Sequence, residues 1–123
     1  MFIVVKVITL RKEFRIKKNN DFQYAFKAGK SFANRQLVIY YVKREGQTHF
    51  RIGLSVGKKI GNAVTRNRIK RYLRQAFFEL QHDIAFPYDI VIIARQPAKQ
   101  MTYLEIKKSL THLLYKEQLL KNQ

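Results

Sequence analysis

Residues 51–77 read RIGLSVGKKIGNAVTRNRIKRYLRQAF, and the fold follows from how this stretch divides. Its start belongs to a short apolar run from Phe50 to Val56, which predicts a strand. Residues 57–61 form a loop rich in glycine and lysine. From about Asn62 the period changes. Ile69, Tyr72, Leu73, Ala76, Phe77 and Leu80 recur at helical spacing, so a long helix is expected to about His82, with that stripe packed on a sheet. Arg66, Lys70 and Arg74 form an i, i+4, i+8 line near the other side, and Asn67, Arg68 and Arg71 widen it to roughly half the circumference. Like charges at this spacing repel by about 0.2–0.5 kcal/mol a pair, and no acid interrupts the series before Glu79. An external polyanion would supply the missing compensation. Arginine suits that work, because its planar fork grips phosphate bidentately and its face stacks on bases. The competing readings are a solvated face, which usually mixes both signs, and a helix for a DNA major groove, for which the short paired helices are missing.

Working outward, a short first helix is expected, capped by Asn20 with Gln23 in the capping-box position and Gly29 as its stop. A strand follows from Gln36 to Lys43, and Glu45, Gly46 and Gln47 turn the chain into the strand at Phe50–Val56, expected to pair antiparallel with it. Tyr88–Ala94 reads as a buried strand bracketed by Pro87 and Pro97. Thr102 and Glu105 form a capping box for a last helix running to about Leu120, whose stripe of Tyr103, Ile106, Leu110, Leu113 and Leu114 is core. The order α-β-β-α-β-α implies an α+β fold, a two-layer sandwich of helices on a small sheet.

The chain has 123 residues, 46% of them hydrophobic, which suits one domain with a real core. We place that domain at residues 10–120, with a C-terminal tail at 121–123. Residues 1–9 belong to the apolar run MFIVVKVITL. It is shorter than the roughly 20 residues that span a bilayer, and it lacks the flanks of a secretory signal. A further strand, a flexible extension and a misplaced start all remain open for it.

Charge narrows the function class. There are 25 Lys and Arg against 8 Asp and Glu, a formal net charge of +17. A folded domain so basic serves a polyanion, nucleic acid first and an anionic membrane second. The absence of cysteine excludes a disulfide framework, a thiolate zinc site and a cysteine nucleophile, and fits a cytoplasmic location. The acids, Glu13, Asp21, Glu45, Glu79, Asp83, Asp89, Glu105 and Glu117, are scattered. A two-metal nuclease needs clustered carboxylates, so no metal-ligating residue and no two-metal catalytic site is assigned to the protein; a metal-free His/His/Lys site assembled in space is the minor alternative. His49, His82 and His112 are equally dispersed.

Residues 51–77, with Arg66-Asn67-Arg68 at their centre, resemble the signature of the bacterial ribonuclease P protein family. The match extends to Asp21-Phe22, Phe26-Lys27 and Gly29, to Ala33-Asn34-Arg35 with Tyr40, to Ile92-Ile93-Ala94-Arg95 and to Lys107-Lys108-Ser109-Leu110. It covers nearly everything from about Leu10 to Leu120. The ordered set is specific, where a lone Arg-Asn-Arg would mean little.

The resemblance implies a domain similar to the second domain of ribosomal protein S5, with a left-handed crossover against the usual rule. It implies a subunit of a ribonucleoprotein endoribonuclease that removes the 5′ leader of precursor tRNA, with the chemistry and its Mg²⁺ carried by a catalytic RNA and no organic cofactor. Asn62, Arg66, Asn67, Arg68, Lys70, Arg71 and Arg74 would face that RNA. Phe22, Phe26 and Tyr40 would stack leader bases at about 1–3 kcal/mol each whatever their identity, with Ser55, Lys58 and Lys59 adding backbone contacts. Core packing is the competing reading for each ring. The rival functions are a ribosomal-RNA-binding structural or assembly protein, a protein-only ribonuclease and a membrane-surface protein; we expect no membrane partner.

Overall fold

The computed structural model describes residues 10–85 and 87–121. Three α-helices, α1 (Asn19–Ala28), α2 (Ala63–Leu80) and α3 (Tyr103–Lys116), accompany four strands, β1 (Lys30–Ala33), β2 (Leu37–Lys43), β3 (Arg51–Ser55) and β4 (Tyr88–Ala94). The α+β class and the order α-β-β-α-β-α hold, with β1 as an additional edge strand. The apolar segment at residues 1–9 lies outside the described residues.

The sheet order is β1-β2-β4-β3, so the expected hairpin between β2 and β3 does not form. β4 lies between them, antiparallel to β2 and parallel to β3. Its sequence explains this: Ile90, Val91 and Ile92 are all fully buried, and a strand buried on both faces belongs inside a sheet. The connection after β2 crosses the start of β4, where the Arg44 amide donates to the Pro87 carbonyl at 2.7 Å. Helix α2 then makes the crossover that parallel pairing requires. The true hairpin is β1–β2. Its turn is closed by Asn34, whose Oδ1 accepts from the Gln36 and Leu37 amides at 3.1 and 2.8 Å.

Alternation along the strands sends side chains to two faces. Leu37, Ile39, Ile52, Ile90 and Ile92 meet Ile69, Leu73 and Phe77 of α2 and Ile106, Leu110 and Leu113 of α3 in the main core. Each such aliphatic or aromatic side chain contributes about 1.5–3 kcal/mol on burial. On the other face, Tyr40, Val42 and Val91 meet Phe22, Ala25 and Phe26 of α1. Helix α1 covers only part of that face, and all four residues of β1 are exposed.

The helix ends follow local chemistry, with two corrections. Asn62 Oδ1 accepts from the Thr65 amide at 2.9 Å and caps α2, and the Thr102–Glu105 capping box on α3 is complete. The box expected at Asn20 and Gln23 is absent: α1 starts two residues earlier, with Lys18 at the N-cap and no side-chain cap. Gly29 does end α1, but with φ −82°. It is small because a Cβ there would stand 2.4 Å from the Ala25 carbonyl oxygen. Helix α3 stops at Lys116, short of Leu120. Gln118 takes φ 59°, and the Leu119 amide donates back to the Leu114 carbonyl, a turn usually made with glycine.

Candidate nucleic-acid interface

A groove lies along β3, the edge strand of the sheet, and is lined there by Ile52, Gly53 and Leu54. One bank is Arg15, Ile16 and Phe22; the other is Lys70 and Arg74 of α2. The first bank is held by sheet pairing, since the Ile16 amide donates to the Ile52 carbonyl at 2.7 Å and Arg15 bridges Ile52 in parallel. Phe22 lies directly against the strand. A Cβ on Gly53 would come within 2.3 Å of Phe22 Cε1, so only glycine leaves room for the ring.

Phe22, Phe26 and Tyr40 come together in one cluster with the buried Ala25 and Val91. Phe26 and Tyr40 meet edge to face, with centroids 5.0 Å apart at 90°. All three rings are half-buried, so each packs α1 on the sheet while keeping surface for a ligand.

The cations of α2 do not form one outward set. Arg66, Lys70 and Arg74 are half-buried and flank the apolar stripe on its β3 side, whereas Asn67 and Arg71 are exposed. The helical angles account for this: Arg66 and Lys70 each sit within about two-thirds of a right angle of Leu73 at about 100° per residue. Arg68 turns to the opposite flank, where its Nη2 donates to the Lys99 carbonyl at 2.7 Å. Arg71 lies 5.6 Å from the Tyr72 ring centroid. Asn62 is engaged as the cap of α2. Ser55, Lys58 and Lys59 are exposed beyond the groove, at the end of β3 and in the following 3₁₀ turn (Lys58–Ile60). The Gln96 side chain holds that turn by donating to the Lys59 carbonyl at 2.6 Å.

The groove is electropositive and uncompensated. Among the described residues, Arg15, Lys70 and Arg74 make no salt bridge. Burial, with Arg15 beside it, holds the Arg74 guanidinium below its ordinary pKa. The Nε atoms of Arg15 and Arg66 are buried without a hydrogen-bond partner among the described residues. An anion in the groove would offset the lowered pKa of Arg74 and offer a partner to Arg15, both of which line it. The nearest acids are already spent: Asp21 and Asp89 pair with Arg44 and Arg51. These carboxylates do not fit a Mg²⁺ site, and among the described residues no three His, Cys, Asp or Glu are grouped to hold a metal.

Arg15 and Gly53 escaped the sequence reading. A lone glycine inside a strand pattern is a sign of close approach and was available as a signal. Nothing periodic marks Arg15, whose place depends on the bridge to Ile52.

The chain resembles known proteins over most of its length. The family profile described as ribonuclease P matches residues 10–118. A ribonuclease P protein component of Oceanobacillus iheyensis is 71% identical over 92% of this chain and 93% of its own length. One from Listeria monocytogenes is 60% identical over 93% and 96%. The solved ribonuclease P protein of Staphylococcus aureus superposes with a TM-score of 0.83 at 50% identity, covering 88% of this chain and 98% of that one. That of Thermotoga maritima, solved with 1-(4-fluorophenyl)-2-thiourea, gives 0.76 at 32% identity over 81% and 96%. The chain belongs to the ribonuclease P protein family, the protein subunits of a tRNA-processing ribonucleoprotein endoribonuclease.

Proposed function

We propose that the chain binds the catalytic RNA of ribonuclease P through α2 and holds the single-stranded 5′ leader of precursor tRNA in the groove along β3. The observation that carries this is the pairing of banks: the Phe22 ring stands across β3 from Lys70 and Arg74. A leader strand needs both chemistries at once, a ring for its bases and cations for its phosphates. Phe26 and Tyr40 extend the stacking side, and Ser55, Lys58 and Lys59, exposed at the end of β3 and in the turn after it, add contacts to the leader backbone. Asn67 and Arg71, exposed on the outer side of α2, face the catalytic RNA, with Asn62, Arg66 and Arg68 at the margins of that surface. The groove position of Lys70 and Arg74 supports a contact with the leader as well as with the catalytic RNA.

In this reading the catalytic RNA carries phosphodiester hydrolysis and holds Mg²⁺, and the protein has no catalytic side chain. Its contribution is electrostatic. Two RNAs repel each other, and a +17 domain between them lowers the cation concentration they need. We place this work in the cytoplasm, without a membrane partner. Among the described residues no helix is long and apolar enough to cross a membrane.

The test is cleavage of 5′-labelled precursor tRNA at low Mg²⁺, with and without a bacterial ribonuclease P RNA. Cleavage at the mature 5′ end only when both subunits are present is the expected result. Cleavage by the protein alone would reveal a nuclease site. No cleavage, with tight binding to ribosomal RNA, would identify a structural binder instead.

A further inference from the structure

Helix α1 carries Phe22 and Phe26 to the groove, yet little fixes it. Its only fully buried residue is Ala25, and its N-terminus has no side-chain cap. Apolar packing of this extent leaves a ten-residue helix free to roll or slide on the sheet, and such a shift would carry Phe22 off Gly53.

A four-residue ion-pair network supplies the missing constraint. Asp21, the residue before Phe22, sets its Oδ1 3.2 Å from Arg44 Nη2 and its Oδ2 3.5 Å from Arg51 Nη2. Arg51 is anchored in turn by a two-pronged bond: its Nε and Nη2 donate to Asp89 Oδ1 and Oδ2 at 2.9 and 2.7 Å. Asp89 is wholly buried in β4. Arg51 opens β3, two residues before Gly53 on the same face. Arg44 also stacks over Tyr24, 4.7 Å from its ring centroid and one turn along α1. The charges balance within the set, so it is no anion site. The geometry is that of a clamp between α1 and the two strands beneath it.

We propose that Asp21 is a positioning residue for the leader groove: through Arg51 and Arg44 it fixes the seat of Phe22 on Gly53. This rests on the groove holding the leader. The role is separable from charge. Removing one acid from a chain of net charge +17 strengthens general attraction to RNA. Mispositioning Phe22 weakens only the part of binding that depends on the leader.

The experiment uses holoenzyme reconstituted with ribonuclease P RNA and measures affinity for precursor tRNA and for mature tRNA, which lacks the leader. Asp21→Asn is expected to lower the preference for the precursor by about threefold or more, the scale of coupling between contacting residues. Affinities for mature tRNA and for the catalytic RNA do not fall and rise slightly with the lost negative charge, and Asp21→Glu recovers part of the preference. In a Phe22→Ala background, Asp21→Asn adds nothing. An unchanged preference in Asp21→Asn, beside a lost preference in Phe22→Ala, would overturn the positioning role and leave the groove reading standing. Equal loss of precursor and mature tRNA would also overturn it, as general damage to the fold. No effect of Phe22→Ala would overturn the groove reading, and the positioning role with it.

Discussion

Phe22 occupies the space that a side chain on residue 53 would need: a Cβ on Gly53 would lie 2.3 Å from Phe22 Cε1 and 2.6 Å from its Cζ. The contact joins a strand whose other face is core to a ring that borders the groove. Gly53→Ala therefore forces either the ring or the strand to move. Overpacking of this kind costs about 1–3 kcal/mol. We expect a lower midpoint in urea with an unchanged m-value, and a weaker preference for precursor over mature tRNA. A variant with wild-type stability and preference would show that the ring moves freely and has no fixed seat.

Asp89→Asn tests the buried end of the ion-pair network. The carboxylate is fully buried and bonded through both oxygens to Arg51, whose side chain keeps 23% exposure. Removing one partner of a buried pair costs about 3–5 kcal/mol, and the partial hydration of Arg51 puts this case at the lower end. Chemical unfolding checks it. A loss below about 1 kcal/mol, the range of surface pairs, would mean that Arg51 finds water at no cost.

Two tyrosine–carboxylate bonds give stability a dependence on pH at both ends. Burial, and then the bond its hydroxyl donates to Glu117 at 2.9 Å, pushes Tyr41 up to about 12 from its ordinary 10.0. The folded state keeps the proton that the unfolded chain gives up, so this contribution is full below pH 10 and fades as pH rises to about 12. The stability gap between wild type and Tyr41→Phe is expected to narrow over that interval. Glu79 behaves in the opposite sense. The Tyr103 hydroxyl, and then Lys107, hold its carboxyl below the ordinary 4.5. Its contribution is present above that value and is lost as pH falls through the lower, folded one. Thermal melts of Glu79→Gln against wild type, from pH 6 downward, should converge; parallel curves would contradict the assignment.

Much of this was legible in the sequence because periodicity reports burial. The stripe through Ile69, Leu73 and Phe77 located α2 and its core face, and Thr102 with Glu105 located the start of α3. Sheet order was not legible. The link between β2 and β3 is short enough for a hairpin, and only the two-sided burial of Ile90–Ile92 shows that β4 must come between. The aromatic half of the groove was visible in Phe22 and Phe26 at i, i+4. The cationic half is harder to place, because Arg66, Lys70 and Arg74, expected near the side opposite the apolar stripe, adjoin it in the fold. Arg15 and the clamp around Asp21 depend on contacts between distant segments, which no local pattern records.

The split of α2 into two cationic sides yields the sharpest separation of roles. Lys70 lines the groove with Phe22, whereas Arg71 stands exposed on the outer side of the helix. Each phosphate neutralised on a single strand contributes about 0.7 to the slope of log K against log salt. Lys70→Ala should therefore lower the slope for precursor tRNA by about that amount, relative to mature tRNA, in the assembled enzyme. Arg71→Ala should leave that difference intact and instead flatten the salt dependence of protein binding to the catalytic RNA. Both residues carry one positive charge on one helix, so an effect of net charge alone would treat them alike. Indistinguishable slopes for the two variants on both ligands would mean that α2 acts as a single charged surface, and the leader would then have to be held by the aromatic bank and Arg15 without it.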